Sequence, residues 1–436
     1  MSSITYNKAL EYLHASYGQG IKIGLGGMQA ILADMGNPQK KLSAIHVAGT
    51  NGKGSTCSYL QYILTEAGYK VGTFTSPHLR RYNERMAINM QPISDDDFAR
   101  HLQKVAEKAG SKGKRLSFFE ILSCMAFCYF AEESVDIAII ETGIGGRLDS
   151  TNVIETPLLS VITAPGYDHQ ELLGESLAEI ASEDAGIIKE SCPVAVYPTT
   201  ELAVFDKISK AKNSPLYYIG EDFELYDTSY DFTGSKFSVK TAYFSYQSLS
   251  IRLLGDHQLQ NAIHALLCVQ ALREHRKLNI TDEAVRRGLA ASQWPGRFEL
   301  LSPNVVMDGA HNEDGARIFK EALDRYFHDQ HIILVVGISN SKEYSKILRH
   351  MLRSADKKSA VIKKVICTCS PFNAIPAEEL ADCANKLTNV PIIIEADCKK
   401  AFSLAENEGI VAVAGSLYLV GELRSVYNDR FQGRNK

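Results

Sequence analysis

Short apolar runs alternate with helix-period segments over the first two hundred residues. "AIHVAG" (Ala44–Gly49) is strand-sized, and "STCSYLQYILTEAG" after it puts Leu60, Ile63, Leu64 and Ala67 on one helical face before Gly68 stops it. "KVGTFT" is a second run, ending in the loop "SPHL". A helical pattern over Leu116–Ala131 leads into "VDIAIIE"; "PLLSVIT" ends at "APGYDH", and a helix over about Ser176–Lys189 follows. Wholly apolar strands separated by helices predict a parallel sheet covered on both faces.

The period changes after about residue 220. "KFSVKTAYFSYQSLSIRLLG" alternates apolar and polar positions, with Phe237, Val239, Leu249, Ile251 and Leu253 in register, as antiparallel strands with one buried face do. A helix starts near His257. "SQWPGRFELLSPN" then holds the only tryptophan and two of the thirteen prolines, which places a domain boundary at Pro295–Phe298. Beyond it "VVMDGA", "HIILVVGI", "KVICTCS", "PIIIEA" and "IVAVAG" recur between helical patterns, again as in a parallel sheet. The expected fold class is α/β. Residues 1–296 form a P-loop-type, mostly parallel sheet domain with a small antiparallel subregion, and 297–436 a smaller Rossmann-like α/β domain.

Composition agrees with two soluble domains. A chain of 436 residues exceeds what one core supports, and 45% hydrophobic with 22% charged residues is ordinary for globular proteins. A net charge of −4 argues against a nucleic-acid protein that binds through bulk positive charge; "AGSKGKR" (Ala109–Arg115) reads as one exposed basic turn. The nine cysteines form no C-x-x-C pair. Cys57, Cys124, Cys128 and Cys268 fall in apolar helical patterns, and Cys367 and Cys369 alternate along a strand-like run, so buried free thiols are expected. With no signal peptide, they imply a reducing cytoplasm. "LSFFEILSCMAFCYF" is too short to span a bilayer and is interrupted by Glu120, so no membrane partner is expected.

The unusual residues gather where apolar strands end, which is where open parallel sheets bind ligands. The first strand runs into Gly49-Thr50-Asn51-Gly52-Lys53-Gly54-Ser55. Glycines, a lysine and a following helix suit a phosphate cradle. However, the common loop G-x-x-x-x-G-K-[ST] has its hydroxyl directly after the lysine. Here Gly54 intervenes, and Val47 stands where the first glycine belongs. A structural turn is the alternative. Glu141 at the tip of "DIAIIE" is placed to hold Mg²⁺ beside such a loop, or to cap the next turn. Arg147 and Asp149 follow within reach of the same edge, or pair with each other. Asp168 and His169 end the third strand, and in the second domain Asp308, His311 and Asn312 repeat the pattern, preceded by Arg297. The residues alone point to Mg²⁺-nucleotide chemistry in a cleft between two α/β domains, and do not name the acceptor.

"HVAGTNGKGST", "SPHL", "ETGIGGRLDSTN", "GYDH", "GDHQLQNA", "WPGRFE", "DGAHN" and "GSLYLVGE" occur in one order. In that order they resemble the folylpolyglutamate synthase/dihydrofolate synthase family of the Mur ligase superfamily, over nearly the whole chain. The G-T-N-G-K-G-S loop is that superfamily's own phosphate loop. The resemblance implies an ATP-dependent ligase: a pterin-bearing carboxylate is phosphorylated by ATP, and the amino group of L-glutamate attacks the acyl phosphate. The implied partners are ATP, L-glutamate, and dihydropteroate or a reduced folate, with Mg²⁺ as cofactor and a monomeric state. By the same resemblance Thr50, Asn51, Gly52, Lys53, Gly54 and Ser55 bind the nucleotide, Lys53 at its β/γ-phosphates, and Asn261, Arg297, Asp308 and His311 hold its adenine, phosphate and ribose portions. Ser55 and Glu141 ligate one Mg²⁺ and His169 a second. Ser76, Pro77 and His78 lie along the folate or glutamate side.

The chain departs from the family at three points. Where the family carries a lysine that becomes a carbamylated metal ligand, "SEDAGIIKE" has Asp184. Either its carboxylate replaces the carbamate, making Asp184 a metal ligand with His169 and a catalytic residue with Lys53 and His169, or that metal position is lost. Pro165 stands in the loop before Asp168-His169, where it removes a backbone donor. "GISNSKEY" keeps Lys342 without acidic neighbours. The alternatives to a folate ligase are a divergent ligase joining another acid and amine, or a folate- or nucleotide-binding protein without catalysis. The loop spacing disfavours a P-loop motor or switch.

Overall fold

Strands form at the apolar runs. In the computed structural model, which describes residues 4–17, 24–111, 113, 115–339, 343–353 and 360–434, the first sheet has eight strands. These are β1 (Ala44–Ala48), β2 (Val71–Phe74), β3 (Met86–Ile88), β4 (Gln91–Pro92), β5 (Ile137–Glu141), β6 (Leu159–Ile162), β7 (Val194–Val196) and β8 (Leu216–Tyr218). Their order is β4-β3-β2-β5-β1-β6-β7-β8. The six from β2 to β8 are parallel to their neighbours, and only β3 and β4 join antiparallel at one edge. Every residue of β1, β2, β5 and β6 is buried, as strands covered on both faces require.

The helix Lys53–Glu66 was expected to bury one face. It is instead buried on nearly every side, because the helices Asp256–Arg276 and Asp282–Ala291 form a further layer over it. Gly288 makes that approach possible: a Cβ there would lie 2.4 Å from the Ile63 Cα. The alternating segment folds as predicted into β10 (Gly234–Lys240) and β11 (Ser245–Ile251), with Phe237, Val239, Leu249, Ile251 and Leu253 buried. A third strand, β9 (Glu224–Asp231), was not foreseen. It pairs with β10, and its mostly exposed side chains leave no alternating signal.

The second sheet contains β12 (Glu299–Ser302), β13 (Val305–Met307), β14 (His331–Val336), β15 (Val361–Cys367), β16 (Ile392–Ile394) and β17 (Ile410–Ala414), in the order β12-β13-β17-β14-β15-β16. It is parallel except for β12, an antiparallel edge strand. Two sequence expectations change. Ala109–Ser111 complete the helix Asp95–Ser111 rather than a turn, and Arg147 pairs with Glu183 at 2.7 Å rather than with Asp149. Lys112, Lys114 and Lys342 lie outside the described residues. All nine cysteines are free; Cys57, Cys124, Cys268 and Cys367 are buried, while Cys128 and Cys369 are half-buried. Among the described residues no helix is long and apolar enough to cross a membrane.

Because Gly288 lies against backbone, Gly288→Ala forces the helices around Lys53–Glu66 apart. Urea denaturation is expected to show a loss of about 1–3 kcal/mol, the usual cost of overpacking.

Candidate active site

Four adjacent strands, β2, β5, β1 and β6, end at one edge of the first sheet, and their following loops supply the site. After β1 the chain turns through Gly49 and Gly52, both at positive φ (127° and 86°), into the helix that begins at Lys53. A Cβ on Gly49 would lie 2.3 Å from the Thr163 hydroxyl, so only glycine fits there. The amides of Thr50 and Asn51 both donate to the Ala164 carbonyl, at 3.1 and 3.0 Å. The Thr50 hydroxyl bridges the N–H and C=O of Gly166. These bonds make Thr50 and Asn51 the frame of the loop. The first amides of a helix have no intrahelical partner, and Lys53, Gly54 and Ser55 line a cavity of about 190 Å³. The Lys53 ammonium folds back onto the carbonyls of Gly49 and Thr50, at 2.6 and 3.2 Å.

Glu141 ends β5 buried in the wall of this cavity. Burial raises its carboxyl pKa, and the charge of Lys53 and the Ser76 N–H oppose that rise. Its Oε2 accepts the Ser76 N–H at 2.8 Å. The Ser55 hydroxyl accepts from Gln258 Nε2 at 3.1 Å, and Gln258 Oε1 accepts from Asn261 Nδ2 at 3.2 Å. Gln258 therefore ties the helix Asp256–Arg276 to the phosphate loop. It sits inside the "GDHQLQNA" motif but was not singled out, because an amide carries no charge signal.

From the second domain, Arg297, Asp308, His311 and Asn312 face the same cavity. Asp308 accepts the N–H groups of Phe298 and Ala310, both at 2.7 Å, which fixes the turn carrying His311. His311 directs Nδ1 to the Gly309 carbonyl and holds Nε2 3.9 Å from Asp168. Asn312 caps the helix Glu313–Tyr326 and donates to Asn51 across the cleft at 3.1 Å. His169, at φ 50°, also lines the cavity. The wall thus contains every expected phosphate, nucleotide and metal residue except Asp184. Asp184 is buried at the end of the helix Leu177–Asp184, where desolvation pushes its carboxyl up to about 7.

A second cavity of about 460 Å³ opens beside the first, sharing Ser76, Pro77, Gly143, Ile144 and Leu173 with it. Tyr17, Phe118, Phe119 and Leu148 make it largely apolar. Its acids are occupied: Asp149 accepts the N–H groups of Gly143, Ile144 and Thr151, Glu120 caps its own helix at Ser117, and Glu183 pairs with Arg147. Arg85 is different. It is 4% exposed, donates through Nε to His78 at 2.9 Å and lies over the Phe118 ring. Burial and the Arg85 charge hold the His78 imidazole at about 3, so it accepts as a neutral ring. Among the described residues no carboxylate lies within ion-pair distance of Arg85. Nothing in the residue order hints at it, since an arginine in "RYNERM" reads as a surface charge. His78, expected at the substrate, is thus the partner of Arg85. It lines a third cavity of about 520 Å³ that also reaches Ser76 and Pro77.

Residues 47–269 match the Mur ligase middle domain, and residues 300–426 the C-terminal domain of dihydrofolate synthetase. The chain is 36% identical over 431 residues to a dihydrofolate synthase/folylpolyglutamate synthase of Bacillus subtilis (strain 168), covering 96% of this chain and 98% of that one. It is also similar to the crystal structure of Thermotoga maritima folylpolyglutamate synthase, with a TM-score of 0.82 at 33% identity over 96% of each chain. The Escherichia coli FolC structure in complex with DHPP and ADP gives a TM-score of 0.87 at 26% identity over 98% of each chain.

Trp294, the chain's only tryptophan, packs its indole against Gly54, where a Cβ would lie 2.6 Å from Nε1. Titration with pyrophosphate is expected to change Trp294 emission saturably in the wild type, and not in Lys53→Ala.

Proposed function

The chain belongs to the dihydrofolate synthase/folylpolyglutamate synthase family of Mur ligases, an ATP-dependent ligase of folate-type acids and L-glutamate, and we propose how its cavities divide that reaction. ATP lies in the first cavity, with its phosphates on the Lys53–Ser55 amides and Lys53 moving from its own loop carbonyls to the phosphate oxygens. Asn261, Arg297, Asp308 and His311 surround the rest of the nucleotide. Residues 1–296 carry the phosphate loop, and 297–436 close over it. The acid lies in the second cavity, its rings against Tyr17, Phe118 and Phe119 and its reacting carboxylate toward Ser76 and Pro77. The shared wall at Ser76–Pro77 carries this reading, because a carboxylate held there meets the phosphates of a nucleotide in the first cavity.

A carboxylate resists an amine until a phosphate leaving group is installed. Phosphoryl transfer needs mainly positioning and neutralised charge. Glu141 fits a Mg²⁺ site, since it is a cavity-lining carboxylate with Oε2 held by Ser76 and Oε1 left for a cation. Ser55 stands beside it on the same wall, and these two would hold the ion. When bound, Mg²⁺ neutralises phosphate charge. His311, with Nδ1 on the Gly309 carbonyl, presents Nε2 to the cleft. Arg85, buried with no acid partner among the described residues, is the charge that receives a carboxylate of the substrate. An isolated buried cation costs several kcal/mol unless an anion joins it.

Incubation with MgATP, L-glutamate and either dihydropteroate or tetrahydrofolate is expected to yield ADP and the glutamylated product mass. ADP release with some other acid alone would overturn the reading. Lys53→Met is expected to lower kcat by about 10²–10³, the scale for removing one group that stabilises transition-state charge. Arg85→Gln is expected to raise KM for the acid roughly ten- to hundred-fold, as loss of a hydrogen bond to a charged group does, while leaving KM for ATP within about three-fold.

A further inference from the structure

Glycine inside a helix weakens it relative to alanine, because the unfolded chain has more backbone freedom to lose. Gly421 stands one turn into the helix Leu417–Arg434, so its presence there needs another cause. That cause lies in the first domain. A Cβ on Gly421 would lie 2.0 Å from the Leu79 carbonyl oxygen and 2.7 Å from its carbon, and backbone atoms cannot yield as the end of a side chain can. The Leu79 side chain meets a second glycine. At Gly296, where φ is 76°, a Cβ would lie 2.9 Å from Leu79 Cδ2.

The two glycines are the walls of one socket, and those walls are tied together. The Gly296 N–H donates to Glu299 Oε2 at 2.9 Å, and the Gly296 carbonyl accepts the Gly309 N–H at 2.8 Å. Glu299 in turn takes Arg424 from the helix of Gly421, Nε at 2.8 Å and Nη2 at 2.9 Å. Leu79 enters this socket from the other domain. It packs against the cluster of Met307, Val413, Leu419, Val420 and Leu423, and among the described residues it is the only member of that cluster before Leu301.

Its own domain holds the same residue by the backbone, since the Leu79 N–H donates to Glu84 Oε2 at 2.8 Å. Leu79 ends the loop that begins at Ser76, whose N–H is fixed on Glu141 at 2.8 Å. Between those anchors, Ser76 and Pro77 line all three cavities. We propose that Leu79 is a positioning residue, a plug from the first domain seated in the Gly296–Gly421 socket of the second. It acts through Ser76 and Pro77, setting that wall where the carboxylate of the acid meets the phosphates.

This role rests on the acid pointing its carboxylate at Ser76 and Pro77, as proposed above, and the experiment tells the two apart. Wild-type protein is incubated with MgATP, L-glutamate and either dihydropteroate or tetrahydrofolate, and glutamylated product is followed. No product from either acid would overturn the reading of the cavities and the plug with it. Given product, Gly421→Ala and Leu79→Ala are each expected to lower kcat about ten- to hundred-fold, the scale of a small displacement at the reacting groups, with KM for ATP within about three-fold of wild type. Leu79→Met refills the socket with a flexible apolar chain and is expected to bring kcat back to within about three-fold. Both alanine variants break one contact, so the double variant is expected to lose no more than the worse single one. Wild-type kcat in both single variants, no recovery in Leu79→Met, losses that multiply in the double variant, or a rise in KM for ATP as large as the fall in kcat would overturn the positioning role. Thermal melts separate misfolding from misplacement. Alanine favours the helix itself, so Gly421→Ala carries the test if Leu79→Ala does not fold, and unfolding of both would make the contact structural and overturn the role.

Discussion

Two amides, those of Thr50 and Asn51, share one acceptor, the Ala164 carbonyl, and the cleft is organised around that junction. It ties the loop after β1 to the loop after β6. It also settles which amides remain for a ligand, because the frame residues spend theirs on protein and the helix start at Lys53–Ser55 does not. From the same junction Asn51 reaches Asn312, so the second domain is registered against the phosphate loop by a side chain that also caps its own helix. Thr163 adds a steric condition by leaving room only for glycine at Gly49. The extra glycine after Lys53 has a comparable reason. The Trp294 indole occupies the space that a side chain at position 54 would need.

Charge is distributed to keep this frame stable without a ligand. Lys53 is satisfied by two carbonyls of its own loop, and the carboxylates of Glu141, Asp149 and Asp308 are tethered by backbone amides rather than by cations. Buried carboxylates held by N–H groups keep their places when a cation moves, whereas an ion pair would have to break. Arg85 is the exception, a guanidinium held by a neutral histidine and an aromatic face.

Much of this was legible in the residues. The strands that build the site are apolar throughout, and their ends carry the glycines and acids that a strand-end site needs, so fold and phosphate edge followed from period and position. The eight ordered motifs supplied the reaction. What escaped was set by tertiary neighbours. The solvent-facing β9 has no alternating pattern, the Lys53–Glu66 helix looked one-sided because its second cover lies more than two hundred residues later, and Gln258 and Arg85 are ordinary letters until their partners are in place.

The meeting of three cavities at Ser76–Pro77 bears on how such a site avoids wasting its activated acid. An acyl phosphate is attacked by water as well as by an amine, so the junction must be dry when it forms. Its walls come from both domains: Ser76, Pro77 and Glu141 from the first, Arg297 from the second. The aromatic cluster beside it, with Tyr17 and His78 facing Phe372 and Tyr418 across the cleft, also spans the two. These contacts border the junction on the side of the second sheet. The polar bond from Asn51 to Asn312 joins the two sheets' loops at the phosphate loop, and the aromatic contacts join them beside Ser76–Pro77. One interface therefore borders both the phosphate loop, through Asn312 on Asn51, and the Ser76–Pro77 junction, through Tyr418 against His78.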